Sequence, residues 1–209
     1  TLAWATPEAG ALGCELELAI LDATTAAPTR ADIPSRGAIS LFDAAGNRAS
    51  SAVIAAWRAA GFEAIGTGTR NHFAELNRAR PGVNDTHHFT TFGIDAQVHA
   101  FDDTSMLETI SQHAVVARQA AELGGGRPVA IAPIVLGPGR TAADARLHTE
   151  FGARWALESI VQLANARCVE RVTYFQLHGP DGILRDTGSP TPLEHLFATR
   201  FEHSVPSVS

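Results

Sequence analysis

The chain predicts an α/β fold in which a parallel sheet is covered by helices. Short apolar runs of strand length alternate with segments whose apolar residues recur at helical spacing. Glycine and proline cluster between these segments rather than inside them. With 209 residues, 45% hydrophobic and 18% charged, the chain can bury a core of its own. It reads as one domain, residues 1–209.

Thr1 to Gly13 is a weakly patterned lead-in. Glu15 to Leu21 alternates and then becomes continuously apolar, which predicts the first strand. Asp22 to Gly37 is broken by Pro28 and Pro34 and predicts a loop or a short, eroded helix. Ala38 to Phe42 is a short apolar strand of the kind covered on both faces. From an N-cap at Ser50 or Ser51, the residues Val53, Ile54, Trp57 and Ala60 trace a helical face that Gly61 ends. Phe62 to Gly66 predicts the third strand, followed by a glycine-threonine turn over Thr67 to Thr69.

Phe89 to Ile94 predicts the fourth strand. Ser105 and Glu108 have the spacing of a capping box, and Met106, Ile110, Ala114 and Ala117 continue one apolar face until the glycines at 124–126. Val129 to Leu136 is the fifth strand, with Pro133 marking a bulge or an irregular end. Gly137 to Ala145 is a loop, and Phe151 to Ala166 a helix with Trp155, Ile160 and Leu163 inward. Arg171 to Phe175 is the sixth strand, a glycine-proline loop runs to Pro192, and Leu193 to Phe201 forms a last helix. Right-handed crossovers then allow an open six-stranded sheet or a barrel. Six βα units are two short of a (β/α)8 barrel, so the barrel reading expects an incomplete one, holding its third to eighth strands. The two sheet edges of such a barrel would invite association with another chain.

Composition excludes several function classes. All sixteen basic residues are arginine, so no lysine can form a Schiff base or cradle a phosphate. A net charge of -6 without a basic cluster argues against nucleic acid. No apolar run approaches the roughly 18 residues of a membrane span, and no leader pattern opens the chain, so the expected location is cytoplasmic. Cys14 and Cys168 lie outside any metal or redox spacing and read as buried small hydrophobes. A small molecule is the expected ligand.

Sites of parallel sheets lie beyond the carboxyl ends of the strands. This places Asp22, Asp43, His72, Glu75, Asn77, Gln97, His99, Asp102, Gln176 and His178 on the active rim. It moves the His87-His88 pair to the opposite side, as a surface feature. Glu75, between Phe73 and Leu76, is the candidate general base or acid, with a plain alternative in which it pairs with Arg78 or Arg80 on a surface helix. If Gln97 faces the site, alternation sends His99 the same way. Asp102 and Asp103 have a simpler reading as caps of the helix that follows. His72, Glu75 and His99 could hold a divalent metal, but no H-x-H or HExxH spacing supports one, and none is assigned. A glycosidase needs a second carboxylate across the pocket, and Gln176 stands where it is expected.

The runs NHFAELNRARP, FTTFGIDAQVHAFDD with ETISQHAVVAR, GGRPVAIAPIVL, FGARWALESI and RVTYF resemble the barrel domain of D-apionate lactonases, from about Cys14 to Phe201. The resemblance implies a (β/α)8 glycosidase-like barrel and hydrolysis of a sugar lactone to the free acid without a cofactor. Phe175, Gln176 and Leu177 depart from the tyrosine, glutamate and threonine that close the last strand in that family. Arg70, Asn71 and His72 stand where smaller or acidic residues are usual. Ester chemistry fitted to these residues assigns Glu75 as base on water and His99 as donor to the oxyanion or the leaving alkoxide. His72, Asn77, Gln97, Tyr174 and Gln176 would hold substrate. A glycosidase-like enzyme and a degenerate, non-catalytic carbohydrate-binding barrel are the alternatives.

Overall fold

The structure is a computed structural model that describes residues 16–22, 35–43, 45–80, 87–99, 101–138, 144–174, 176–178, 182–185 and 190–201. The side chains of residues 16–37, 174, 176–178, 200 and 201 lie outside the description. Six strands make one sheet: β1 (Leu16–Asp22), β2 (Ser35–Phe42), β3 (Ile65–His72), β4 (Phe89–Asp95), β5 (Val129–Val135) and β6 (Val169–Tyr174). Their spatial order is their chain order, β1-β2-β3-β4-β5-β6. A doubly wound sheet reverses its strand order at a switch point, whereas a barrel winds in one direction. The unreversed order is therefore that of a barrel. β1 and β2 run parallel from Leu18 opposite Ala38 to Asp22 opposite Phe42, and β2 and β3 pair Ile39 with Ile65 and Ser40 with Gly66.

The helices are α1 (Ser51–Ala59), α2 (Phe73–Ala79), α3 (Asp103–Glu108), α4 (Ile110–Leu123), α5 (Glu150–Asn165) and α6 (Pro192–Phe201), with a 3-10 turn at Ala145–His148. By contacts the chain divides into two compact units, Thr1–Phe92 with Gln119–Ala130 and Gly93–Arg118 with Ile131–Ser209. The boundary passes through β4, α4 and β5.

In the first unit, α1 starts where the Ser50 hydroxyl accepts from the Val53 N–H, and ends where Gly61 takes φ +92°. Both signals were legible in the sequence. Ile54 and Trp57 of α1 pack on Ile39, Leu41, Phe62 and Ile65, so these strand positions form the helix-covered face. Burying each such side chain stabilises the fold by about 1.5–3 kcal/mol. A second cluster, Ala38, Phe89, Ala130 and Ala64, contains no helical residue and marks the inner face.

The expected turn at Thr67 to Thr69 is instead strand, because alternation suits glycine and threonine to opposite faces here. A Cβ on Gly66 would come within 2.1 Å of the Phe89 ring, and one on Gly68 within 2.1 Å of the Thr91 carbonyl oxygen. On the other face, Thr67 Oγ1 donates to the Leu41 carbonyl and accepts from Ala49 N. Thr69 Oγ1 donates to the carbonyl of Gly46, which has φ +77°. The two hydroxyls thus tie β3 to the loop after β2, which Asp43 closes by accepting from the N–H groups of Ala45 and Asn47.

In the second unit, the expected helix over 105–124 begins earlier and is divided at Thr109. Its N-cap is Asp102, whose carboxylate accepts from Ser105 N at 2.9 Å and Ser105 Oγ at 2.7 Å. Ser105 therefore serves as the capped residue and not as the cap. Trp155, Ala156 and Leu163 of α5 are buried, and His113 of α4 meets Ser159 and the Trp155 ring. β7 (Gln176–His178) and β8 (Gly182–Leu184) form a separate two-stranded pair.

Candidate active site

The carboxyl end of β3 passes directly into α2, which puts His72 and Glu75 within one turn of the strand. Alternation from Gly66 carries Gly68, Arg70 and His72 on the inner face of β3. His72 is the N-cap of α2, without a side-chain capping bond. On a helix of about 3.6 residues per turn, Phe73, Leu76 and Asn77 share one side and Glu75 faces roughly the other way. Leu76 is buried, and the Phe73 ring meets Phe92 edge-on at 5.8 Å, on the helix-covered face of β4. Asn77 is exposed beside a shallow groove that it lines with Phe73, Gln119, Glu122 and Leu123.

Glu75 realises the ion-paired alternative: its Oε1 accepts from Arg78 at 2.7 Å. Its Oε2 is buried and has no hydrogen-bond partner. One oxygen is thus oriented by a guanidinium while the other keeps its acceptor capacity, an arrangement able to take a proton or hold a donor. A buried acceptor with no partner is uncommon and costs about 1–3 kcal/mol, which marks the position.

At the end of β4, Gln97 is buried at 6% exposure. Its amide nitrogen donates to the Leu136 carbonyl at 2.7 Å and to Asp144 Oδ2. Both N–H donors expected to reach a substrate are thereby committed to protein acceptors. Asp144 also accepts from the N–H and Nε of Arg146 through Oδ1 and from its NH2 through Oδ2. Those bonds, the Arg146 side-chain bond first, hold the Asp144 carboxyl down at about 2. Arg146 further donates to Asp103 at 2.6 Å and to the Phe101 carbonyl, and lies over the Phe151 ring. Asp144 and Arg146 escaped sequence reasoning because they sit in a stretch that reads only as loop.

His99 is exposed in a bend beyond β4. The strand ends at Asp95, so alternation does not extend to His99. Tyr174 is the last residue of β6, whereas Gln176 and His178 belong to β7, outside the six-stranded sheet. Asp43 closes its own loop, as described above. His87, expected at the surface, is 3% exposed, with Nε2 3.3 Å from Thr90 Oγ1. His88 is exposed, and its Nδ1 accepts from Ile65 N. The pair enters β4 from its amino end, opposite the candidate rim. Among the described residues, no three His, Cys, Asp or Glu side chains are grouped to hold a metal ion, and no helix is long and apolar enough to cross a membrane.

The model of the D-apionate lactonase TIM-barrel domain matches residues 47–204. The chain belongs to that family. The match spans α1 to α6 and includes Glu75, Gln97, His99 and Asp144. No curated protein matches. Among solved structures, a β-D-glucuronidase of Dictyoglomus thermophilum is similar in fold, with TM-score 0.54 and 13% identity. The likeness covers 82% of this chain and 32% of that one, so the present chain spans about a third of the length of the glucuronidase. The strand order and the family model agree: this lactonase-family chain has TIM-barrel architecture, with six strands in its main sheet among the described residues.

Proposed function

We propose that the chain hydrolyses a sugar lactone such as D-apionolactone to the sugar acid. Membership of the lactonase barrel family supports the reaction class. The observation that carries the reading to a residue is the half-satisfied carboxylate of Glu75 after β3. In the proposed reaction Glu75 takes a proton from water as the water oxygen bonds to the lactone carbonyl carbon. The ring C–O bond of the tetrahedral intermediate then breaks, and the alkoxide leaves with a proton, for which His99 is the proposed donor. His72 and Tyr174 are proposed to hold the substrate, with Asn77, Gln97 and Gln176 as further candidates.

The test is acid release from D-apionolactone at constant pH by the wild type, Glu75→Gln and His99→Asn. Loss of at least 100-fold in Glu75→Gln with unchanged circular dichroism supports the assignment, and equal rates overturn it. A second reading, a sugar-binding barrel without catalysis, draws on Gln176 in place of the family's glutamate. Binding of the lactone without opening by the wild type would favour it, while turnover of aryl glycosides would favour a glycosidase-like enzyme.

A further inference from the structure

The chemistry of its partners fixes which way the Gln97 side-chain amide faces. Its nitrogen lies 2.7 Å from the Leu136 carbonyl and within hydrogen-bond distance of Asp144 Oδ2. Both partners are acceptors. A backbone carbonyl has no proton to give, and the Asp144 carboxyl, held down at about 2 by its bonds to Arg146, has none at neutral pH. Turning the amide over would set its oxygen against two other oxygens, one of them charged, so the NH2 group faces them and Oε1 is turned away.

Oε1 is in a different state from the nitrogen. Among the described residues no donor reaches it, and it is not one of the fully buried atoms left without a partner, so part of the 6% exposure of Gln97 falls on this oxygen. An amide that serves only as a brace ordinarily has its acceptor filled as well as its donors. Here the donors are filled and the acceptor is open. Gln97 follows β4 by two residues, at the carboxyl end where parallel α/β sheets bind ligands. The backbone is anchored beside it, because Ala96 N donates to the Val135 carbonyl at 2.9 Å. Asp144 is held in turn by Arg146 N at 2.8 Å, Nε at 3.0 Å and NH2 at 2.7 Å. All of these residues belong to the second compact unit. An acceptor fixed in this way has little freedom left to lose when a ligand binds.

We propose that Gln97 Oε1 accepts a hydrogen bond from a hydroxyl of the ligand, so that this position selects a group that donates over one that only accepts. The assignment rests on the lactone reading for its ligand class, polyhydroxylated lactones and their acids, and deepens it by fixing the polarity of one contact. A ligand oxygen without a proton would meet Oε1 lone pair to lone pair and leave it unpaired.

The experiment titrates D-apionate, and analogues in which each hydroxyl in turn is replaced by hydrogen or by fluorine, into wild type and Gln97→Met. Calorimetry gives the affinities, and thermal melting of both chains accompanies it. Fluorine occupies the place of a hydroxyl but cannot donate. The expected result is one hydroxyl whose replacement by either atom weakens wild-type binding by about 10-fold or more, while in Gln97→Met the same replacements change affinity by less than about 2-fold. Equal losses in the two chains at every position, or no binding of D-apionate by wild type, overturn the assignment. If Gln97→Met does not fold, carbon-13 resonances of the glutamine side-chain carbonyls in wild type decide. The Gln97 signal should shift with D-apionate and stay in place with the fluorine analogue at the critical position; no shift with D-apionate overturns the proposal. Lactone opening is assayed separately. Turnover with equal losses in both chains leaves the lactone reading standing and removes this one, and Gln97-dependent binding without turnover does the reverse.

Discussion

The Gln97 amide nitrogen donates to the Asp144 carboxylate, joining two residues 47 apart in sequence just beyond the ends of β4 and β5. Asp144 in turn grips Arg146, which reaches Asp103 and the Phe101 carbonyl. A polar segment after β4 and another after β5 are thus tied into one network. These bonds fix the rim and hold the Gln97 side chain in one orientation.

Asp144→Asn should weaken this network and with it the acid stability of the fold. The Asp144 carboxyl is depressed from its ordinary 3.8 to about 2, and its side chain is 11% exposed. A depressed carboxyl contributes stability above its unfolded pKa and loses it as pH falls through the folded one. The contribution is therefore complete above about pH 4 and fades toward pH 2, at about 1–2 kcal/mol. Urea melts of wild type and Asp144→Asn should differ most at pH 6 and clearly less near pH 2.5. Curves separated equally at both values would refute the assignment.

His113 gives a second, separate pH dependence. Burial drives its imidazole from the ordinary 6.5 down to about 4, where it sits 2.9 Å from Ser159 Oγ and edge-on to Trp155. A histidine buried neutral supports the fold above its unfolded pKa. Between about pH 6.5 and 4 the unfolded chain binds the extra proton, so stability falls across that window by up to about 3 kcal/mol. Replacement by Gln should flatten this part of the stability profile while lowering stability at pH 8. An unchanged slope between pH 6.5 and 4 would show that His113 is not its source.

Gly66→Ala should be among the most damaging small substitutions in the chain. Its methyl would lie 2.1 Å from the Phe89 ring, inside the cluster formed with Ala38 and Ala130. Overpacking of this kind costs about 1–3 kcal/mol or more. Chemical denaturation should show that loss, and Phe89→Leu in the same chain should recover part of it. Full additivity of the two costs would mean that they do not clash.

Arg78→Ala should alter catalysis more than stability. The Arg78 side chain is 75% exposed and pairs with Glu75 Oε1, so its loss costs the fold about 0–1 kcal/mol. It frees the carboxylate that is proposed to take the proton from water. A fall in kcat of about 10-fold, with a melting temperature within 2 °C of wild type, is the expected pattern. An unchanged kcat would separate Arg78 from the reaction.

Much of this architecture was written in local patterns. The Ser50 cap, the Gly61 stop and the apolar runs of β4 and β5 predicted their elements because each depends on neighbours in sequence. The sequence misplaced the GTGT segment because isolated glycines usually signal a turn. Only the approach of Phe89 and of the Thr91 carbonyl from β4 makes them a requirement of the strand.

The sequence by itself determined the class of fold and the alternation of strands and helices. These follow from hydrophobic period and chain direction. The tertiary structure decided the unreversed strand order, the burial of His87, and the loss of Gln97 donors to Leu136 and Asp144. Each of those depends on partners tens of residues away, and period-two alternation becomes informative only once packing has fixed which face of the strand is inner.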